Sequence, residues 1–191
     1  MKYSTAHVIK NEVRIVGGEW RSRLITFSGG TDLRPTPDRV RETVFNWLGQ
    51  DLSGKTCLDL FAGSGAMGFE AASRGAERIV MVESNPEVLK ALKLNVQKLG
   101  AKQILVTAMD ALRFVDSNRQ LFDVIFLDPP FRLGLLPKLL SLLPPHLTED
   151  GVVYVEDDDL LDPGMDWLVW RKGQAGKVYY QLLKPKPAKN G

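Results

Sequence analysis

The chain has 191 residues, 44% hydrophobic and 25% charged, with a formal net charge of +2, the make-up of one soluble domain long enough to build its core without staples. Its single cysteine, Cys57, excludes an internal disulfide, no run reaches the ~20 apolar residues of a membrane span, and residues 1–11 lack the apolar stretch of a signal peptide. A cytoplasmic protein in a reducing compartment, with Cys57 a small buried thiol, is the expectation.

In chain order, residues 13–16 and 23–27 read as short strands separated by Gly17-Gly18 and a basic turn, which makes a hairpin. A helix follows at Thr36-Pro37-Asp38, with Thr36 as its cap, Pro37 at the first helical position and Asp38 against the positive end of the dipole. Val40, Val44, Trp47 and Leu48 form its apolar face, and Arg39 and Arg41 flank that face within reach of ligand or solvent. From Thr56 onward strands (56–60, 78–82, 103–107, 122–127, 152–155) alternate with helices (66–74, 86–99, 111–116, 135–143). Residues 167–170 and 178–183 read as a closing β pair joined through Gly173 and Gly176. Alternating βα units predict an α/β domain with a mostly parallel, doubly wound sheet and an antiparallel edge. The expected organisation is a hairpin extension over 1–35, the main domain over 36–184 and a frayed basic tail over 185–191.

The charge is unevenly spread. Residues 1–41 carry eight basic and four acidic side chains, 171–191 carry six basic and none acidic, and the stretch between is net −8. Basic ends on an acidic body suit a phosphate backbone, or are simply solvated. Trp20 beside Arg21 and Arg23 either stacks on RNA or pins the hairpin to the body. The run Glu156-Asp157-Asp158-Asp159 reads as a solvated loop, because hard-cation loops space their ligands apart, and no metal is expected. His7 and His146 read as surface residues.

In such sheets ligands bind beyond the carboxyl ends of the strands, near the switch in strand order. The first core strand runs into Asp59-Leu60-Phe61-Ala62-Gly63-Ser64-Gly65, where glycines allow close backbone approach and a sharp turn into a helix. Gly63, Gly65 and Gly68 spell G-x-G-x-x-G, and Glu83, with Ser84 after it, ends the next strand where a dinucleotide or other adenosyl ligand presents its ribose hydroxyls. Asp59 would repel a pyrophosphate beside that turn but welcomes the sulfonium and ammonium of S-adenosylmethionine. Asp110-Ala111 supplies another strand-end carboxylate, near where an adenine amino group would sit. Directly after the buried strand 122–127 comes Asp128-Pro129-Pro130-Phe131. Two prolines stiffen this turn and remove two backbone donors. The Asp128 carboxylate and the Pro129 carbonyl can then accept the two N–H bonds of an arylamine while Phe131 stacks on its ring.

With these residues the sequence resembles the bacterial 16S ribosomal RNA guanine-N2 methyltransferases. The resemblance runs from about Val13 to Leu183 and is carried by Gly17-Gly18-Glu19-Trp20-Arg21, by Leu33-Arg34-Pro35-Thr36, by the helix from Asp38 to Leu48, by the glycine loop, by Asp128-Pro129-Pro130-Phe131 and by Tyr154-Val155-Glu156. It implies a class I, Rossmann-like, S-adenosylmethionine-dependent methyltransferase fold. In such enzymes the Asp59 loop, with Phe61, Gly63 and Gly65, holds the methionine part, Glu83 and Ser84 the ribose, and Asp110 and Ala111 the adenine, with Arg34 and Thr36 approaching from the side. Asp128, Pro129 and Phe131 would hold the guanine N2. Arg14, Trp20, Arg21, Arg23, Arg39 and Arg132 would meet 16S rRNA in the small subunit or a late assembly intermediate, with the enzyme a monomer. Three other functions use the same features in part: an amino-methyltransferase for DNA adenine or protein glutamine, a NAD-dependent oxidoreductase, and a non-catalytic RNA-binding module.

Overall fold

The computed structural model describes residues 11–27 and 35–187; Arg34, His7 and the end of the basic tail lie outside the described residues. Strands β1 (Asn11–Arg14) and β2 (Leu24–Phe27) pair antiparallel as the expected hairpin. Strand β1 ends at Arg14, Ile15 still exchanges backbone bonds with Arg23 and Ser22 at 2.9 and 2.8 Å, and beyond it Glu70 takes the N–H groups of Val16 and Gly17 at 2.9 and 2.8 Å.

Seven further strands, β3 (Thr56–Asp59), β4 (Arg78–Glu83), β5 (Ile104–Ala108), β6 (Phe122–Leu127), β7 (Leu147–Asp157), β8 (Trp167–Ala175) and β9 (Val178–Pro185), form one sheet in the order β5-β4-β3-β6-β7-β9-β8. The first five are parallel and β9 is antiparallel to both neighbours, so the expected antiparallel strand lies inside the sheet and β8 forms its edge. The chain winds outward from β3 to β5 and then returns to the other side of β3, which opens a crevice between the ends of β3 and β6.

Alternation along the strands sends side chains to two cores. Cys57, Ile79, Met81, Phe126 and Tyr154 pack with α1 (Asp38–Trp47), α2 (Ala66–Ser73), α3 (Pro86–Leu99) and the hairpin's Ile15, Ile25 and Phe27. Leu58, Val80, Ile125, Leu127 and Val153 pack with α4 (Ala111–Ser117) and α5 (Leu136–Leu142) on the opposite face. Helix ends follow their chemistry: Asn85 accepts from Glu87 N and Val88 N at the start of α3, and Gly100 closes it at φ 64°.

Several expectations change. Thr36 does not cap α1; Pro37 occupies the cap position without a side-chain bond, and Arg41 Nε holds the Thr36 carbonyl at 3.1 Å. Arg41 reaches neither ligand nor solvent: it is 0% exposed and its guanidinium binds Glu70 at 3.0 Å, Asp38 at 2.5 Å and the Arg14 carbonyl at 2.7 Å. Trp20, a candidate RNA contact, is only 5% exposed and belongs to the main core, with its backbone N–H on Ser73 Oγ at 2.9 Å, so no ring face is left for a base. Of its two readings, the pin to the body holds. His146 is buried beside Asn118, not on the surface. Glu156 is not in a solvated loop, since β7 runs on to Asp157 and buries it. Strand β9 continues to Pro185, the first residue of the expected tail.

Candidate functional site

The site grows from the carboxyl ends of four adjacent strands. Parallel register sets Asp59 opposite Phe126, Leu127 opposite Val155, and Asp59 opposite Met81. Side chains alternate across a strand, so Asp59, Glu83, Asp128 and Glu156 all share the face that carries α1 to α3. Asp59 and Asp128 flank the crevice at the switch in strand order.

The glycine loop is shaped around Asp59. Gly65 caps α2 at φ 81°, a conformation open to glycine. The Gly68 N–H donates to Asp59 Oδ2 at 3.0 Å, and a Cβ on Gly68 would stand 2.4 Å from Met81 Cε and 3.2 Å from that same oxygen. A side chain at 68 would have to displace the end of Met81 and crowd the Asp59 carboxylate. Burial raises the Asp59 carboxyl to about 7, against the lowering pull of the Gly68 N–H, and the nearby Glu83 adds to the rise.

Glu83 is fixed by the backbone. Its Oε2 accepts from Gly63 N at 3.1 Å, and its Oε1 from Ser84 N and Asn85 N, each at 2.8 Å. Those bonds lock the glycine loop to the end of β4 and hold the carboxylate at the loop's rim. Asp110 caps α4, accepting from Arg113 N at 3.1 Å, and stays exposed with Ala111 buried behind it. Phe61 and Gly63 are half-buried and Gly65 is buried.

The turn after β6 has Asp128 half-buried, Pro129 buried, Pro130 exposed and Phe131 half-buried at the start of a short 3-10 turn. Burial first, then Glu156, then Asp59 hold the Asp128 carboxyl well above the usual carboxylate range. Thr36 reaches the same place, with its hydroxyl hydrogen-bonded to Glu156. A crevice walled by Asp59 and Asp128, both held above their usual range, favours a cationic ligand, which offsets their mutual repulsion. S-adenosylmethionine fits that donor set through its sulfonium and ammonium. Among the described residues no group of His, Cys, Asp and Glu is arranged to hold a metal.

Two features lay beyond the sequence reading. Glu70 is fully buried and accepts from Val16 N, Gly17 N, Arg41 and Arg74, so α2 clamps the hairpin directly behind the glycine loop. The Ser73 hydroxyl adds a bond to the Gly17 carbonyl at 2.6 Å. The second is the burial of Glu156, which the sequence shows only as the end of Tyr154-Val155-Glu156 and the start of an acidic run. Arg14, Arg21, Arg23 and Arg39 are exposed, and Arg132 is exposed directly after Phe131.

No helix among the described residues is long and apolar enough to cross a membrane. A family model described as Conserved hypothetical protein 95 matches residues 13–184. The chain is 41% identical over 184 residues to ribosomal RNA small subunit methyltransferase D of Haemophilus influenzae, covering 92% of this chain and 95% of that protein. It is 38% identical over 183 residues to the protein of the same name from Escherichia coli strain K12, covering 93% and 92%. The solved structure of a putative methyltransferase from Escherichia coli superposes with a TM-score of 0.83 at 38% identity, covering 92% of this chain and 99% of that one. With its sheet order, its glycine loop and these relatives in agreement, the chain belongs to the Conserved hypothetical protein 95 family and to the ribosomal RNA small subunit methyltransferase D proteins within its reach.

Proposed function

We propose that the protein is an S-adenosylmethionine-dependent methyltransferase that modifies the exocyclic N2 of a guanine in 16S rRNA, within the small ribosomal subunit or a late assembly intermediate. The observation that carries this is Asp128-Pro129-Pro130-Phe131 at the end of β6, across the crevice from Asp59 and the glycine loop. The names of the relatives support a small-subunit rRNA substrate. Its lone, buried Cys57 suits a cytoplasmic enzyme.

S-adenosylmethionine supplies an electrophilic methyl group on a sulfonium. Asp59 and the Gly63–Gly65 turn cradle its methionine end, Glu83 and Ser84 its ribose, and Asp110 and Ala111 its adenine. Asp128 and the Pro129 carbonyl accept the two N–H bonds of the guanine amine, which orients a weak nucleophile and favours positive charge on its nitrogen. Phe131 holds the plane of the base. Positioning and electrostatics supply most of the catalysis. The guanine must be in a loop or flipped out of its stack, because the amine is hidden in a helix. The hairpin, clamped by Glu70, presents Arg14, Arg21 and Arg23 to the phosphate backbone, with Arg39 and Arg132 nearer the crevice.

The test is methyl transfer from labelled S-adenosylmethionine to hypomethylated small subunits, naked 16S rRNA and DNA. Label on guanine N2 of the subunit, lost in Asp128→Ala, is the expected result. Label on DNA, or none on any substrate despite cofactor binding, overturns the substrate assignment.

A further inference from the structure

Glu156 is the one carboxylate of the site with no part in holding cofactor or base. It is 4% exposed, and the Tyr154 hydroxyl donates to its Oε1 while the Thr36 hydroxyl also bonds it. Both donors are themselves fixed. Tyr154 is buried with its ring edge-on to Phe126 at 6.2 Å, and the Thr36 carbonyl is held by Arg41. Leu127 pairs with Val155 in parallel strands, so Asp128 and Glu156 stand one residue further on, side by side at the ends of β6 and β7. Neighbouring strands lie ~4.8 Å apart, which makes the two carboxyls immediate neighbours on one face.

Burial raises the Glu156 carboxyl too, but the hydroxyls of Tyr154 and Thr36 pull it back, while Asp128 is held well above the usual range. When two neighbouring carboxyls share a proton, it then resides on the other member, here Asp128. The charges that act on Asp128 come from two strands, Glu156 of β7 and Asp59 of β3; the Tyr154 hydroxyl of β7 couples to Asp128 in turn, with Tyr180 of β9 behind it. Burial and the Glu156 charge dominate.

We propose that Glu156, anchored by Tyr154 and Thr36 at the side of Asp128, is the positioning residue that makes Asp128 the acceptor of the proton shed by the amine on methylation. This rests on the methyltransferase reading above. As the N–C bond forms from the nitrogen lone pair, the S–C pair leaves with sulfur as a neutral thioether. The N–H pair returns to nitrogen and the proton passes to an Asp128 oxygen. The result is a neutral carboxyl beside the Glu156 anion, and water takes the proton when product leaves.

The test combines a readout of the free protein with one of turnover. Carboxyl-carbon NMR titration of the protein without cofactor follows Asp128 in wild type, Glu156→Gln and Tyr154→Phe. Single-turnover methylation of hypomethylated small subunits is followed against pH in the same three proteins. The expected result is an Asp128 midpoint that moves down toward the ordinary carboxylate range in Glu156→Gln, and by less in Tyr154→Phe. The acid limb of the rate profile should move with it, and the plateau should fall roughly tenfold while S-adenosylmethionine affinity holds within about twofold. An Asp128 midpoint that stays in place, or one that moves while the rate profile does not, overturns the proposal. If Glu156→Gln fails to fold, Tyr154→Phe, which keeps the ring in the core, decides in its place. If wild type methylates no RNA although the midpoints shift, the substrate reading fails and the Asp128–Glu156 pairing stands.

Discussion

Glu70→Ala tests the clamp between hairpin and glycine-loop helix. The Glu70 carboxylate is fully buried and ties four donors: Val16 N at 2.9 Å, Gly17 N at 2.8 Å, Arg41 Nη1 at 3.0 Å and Arg74 Nε at 2.9 Å. Removing it leaves two buried guanidiniums short of their shared anion and two backbone N–H groups without their acceptor. Arg41 keeps Asp38, but Arg74 is left over the Phe45 ring at 4.9 Å. Breaking a buried ion pair on one side costs about 3–5 kcal/mol, a large part of the ~5–15 kcal/mol that holds a domain together. The expected loss is about 4 kcal/mol in urea unfolding, or ~8–16 °C in melting temperature for a chain of this size. Glu70→Gln, which keeps one acceptor oxygen but no charge, should lie between. A loss below about 1 kcal/mol for the alanine variant would show that the hairpin is held by Trp20, Ile25 and Phe27 and that the ionic cluster is incidental.

Cofactor affinity should fall as pH drops through about 7, the value to which burial raises Asp59, approaching tenfold per pH unit below it; calorimetry on wild type and Asp59→Asn checks this, the variant binding weakly at every pH. Asp128→Ala should still bind S-adenosylmethionine, more weakly for want of one wall of the crevice, and lose methyl transfer by about a hundredfold or more, as read by labelled-methyl incorporation. Burial pushes the Cys57 thiol up to about 12, so a disulfide reagent should modify it only at the rate of unfolding. Arg21→Glu with Arg23→Glu should weaken binding to the small subunit and lower the slope of log affinity against log salt by ~2, by analogy with DNA-binding proteins, leaving the melting temperature near that of wild type because both side chains are exposed.

The sheet and its helices were legible because buried parallel strands and amphipathic helices have different periods, and capping residues mark the joins. Strand β7 was read as four residues although it spans Leu147–Asp157, because Glu149-Asp150-Gly151 breaks the apolar pattern there. At the other end Glu156 is masked because it opens an acidic run whose members Asp158 and Asp159 are exposed. Asp59, Glu83 and Asp128 are visible as acids at strand ends, although Glu83 and Asp110 show that such acids also tie backbone N–H groups and cap helices. Arg41 and Trp20 misled for a different reason. Their partners, Glu70 and Ser73, lie 29 and 53 residues away, and no local pattern announces a long-range pairing. A basic residue on a helix reads as solvated until its partner is known.

The G-x-G-x-x-G spacing alone fits a dinucleotide as well as S-adenosylmethionine, and the electrostatics of the crevice separate them. In the folded protein burial pushes the Asp59 carboxyl up to about 7. The folded state therefore binds the extra proton, and the stability this gives is full below the unfolded value and lost as pH rises through about 7. Holding Asp59 ionised above that pH costs roughly 4 kcal/mol of folding free energy. A pyrophosphate beside it would add like charge to a site already strained by Asp128 and Glu83, and would push the carboxyls further toward protonation. A sulfonium and an ammonium do the reverse: each carboxylate they neutralise recovers part of what burial took. The same chemistry that makes the free site unfavourable above neutral pH thus becomes affinity for a cation.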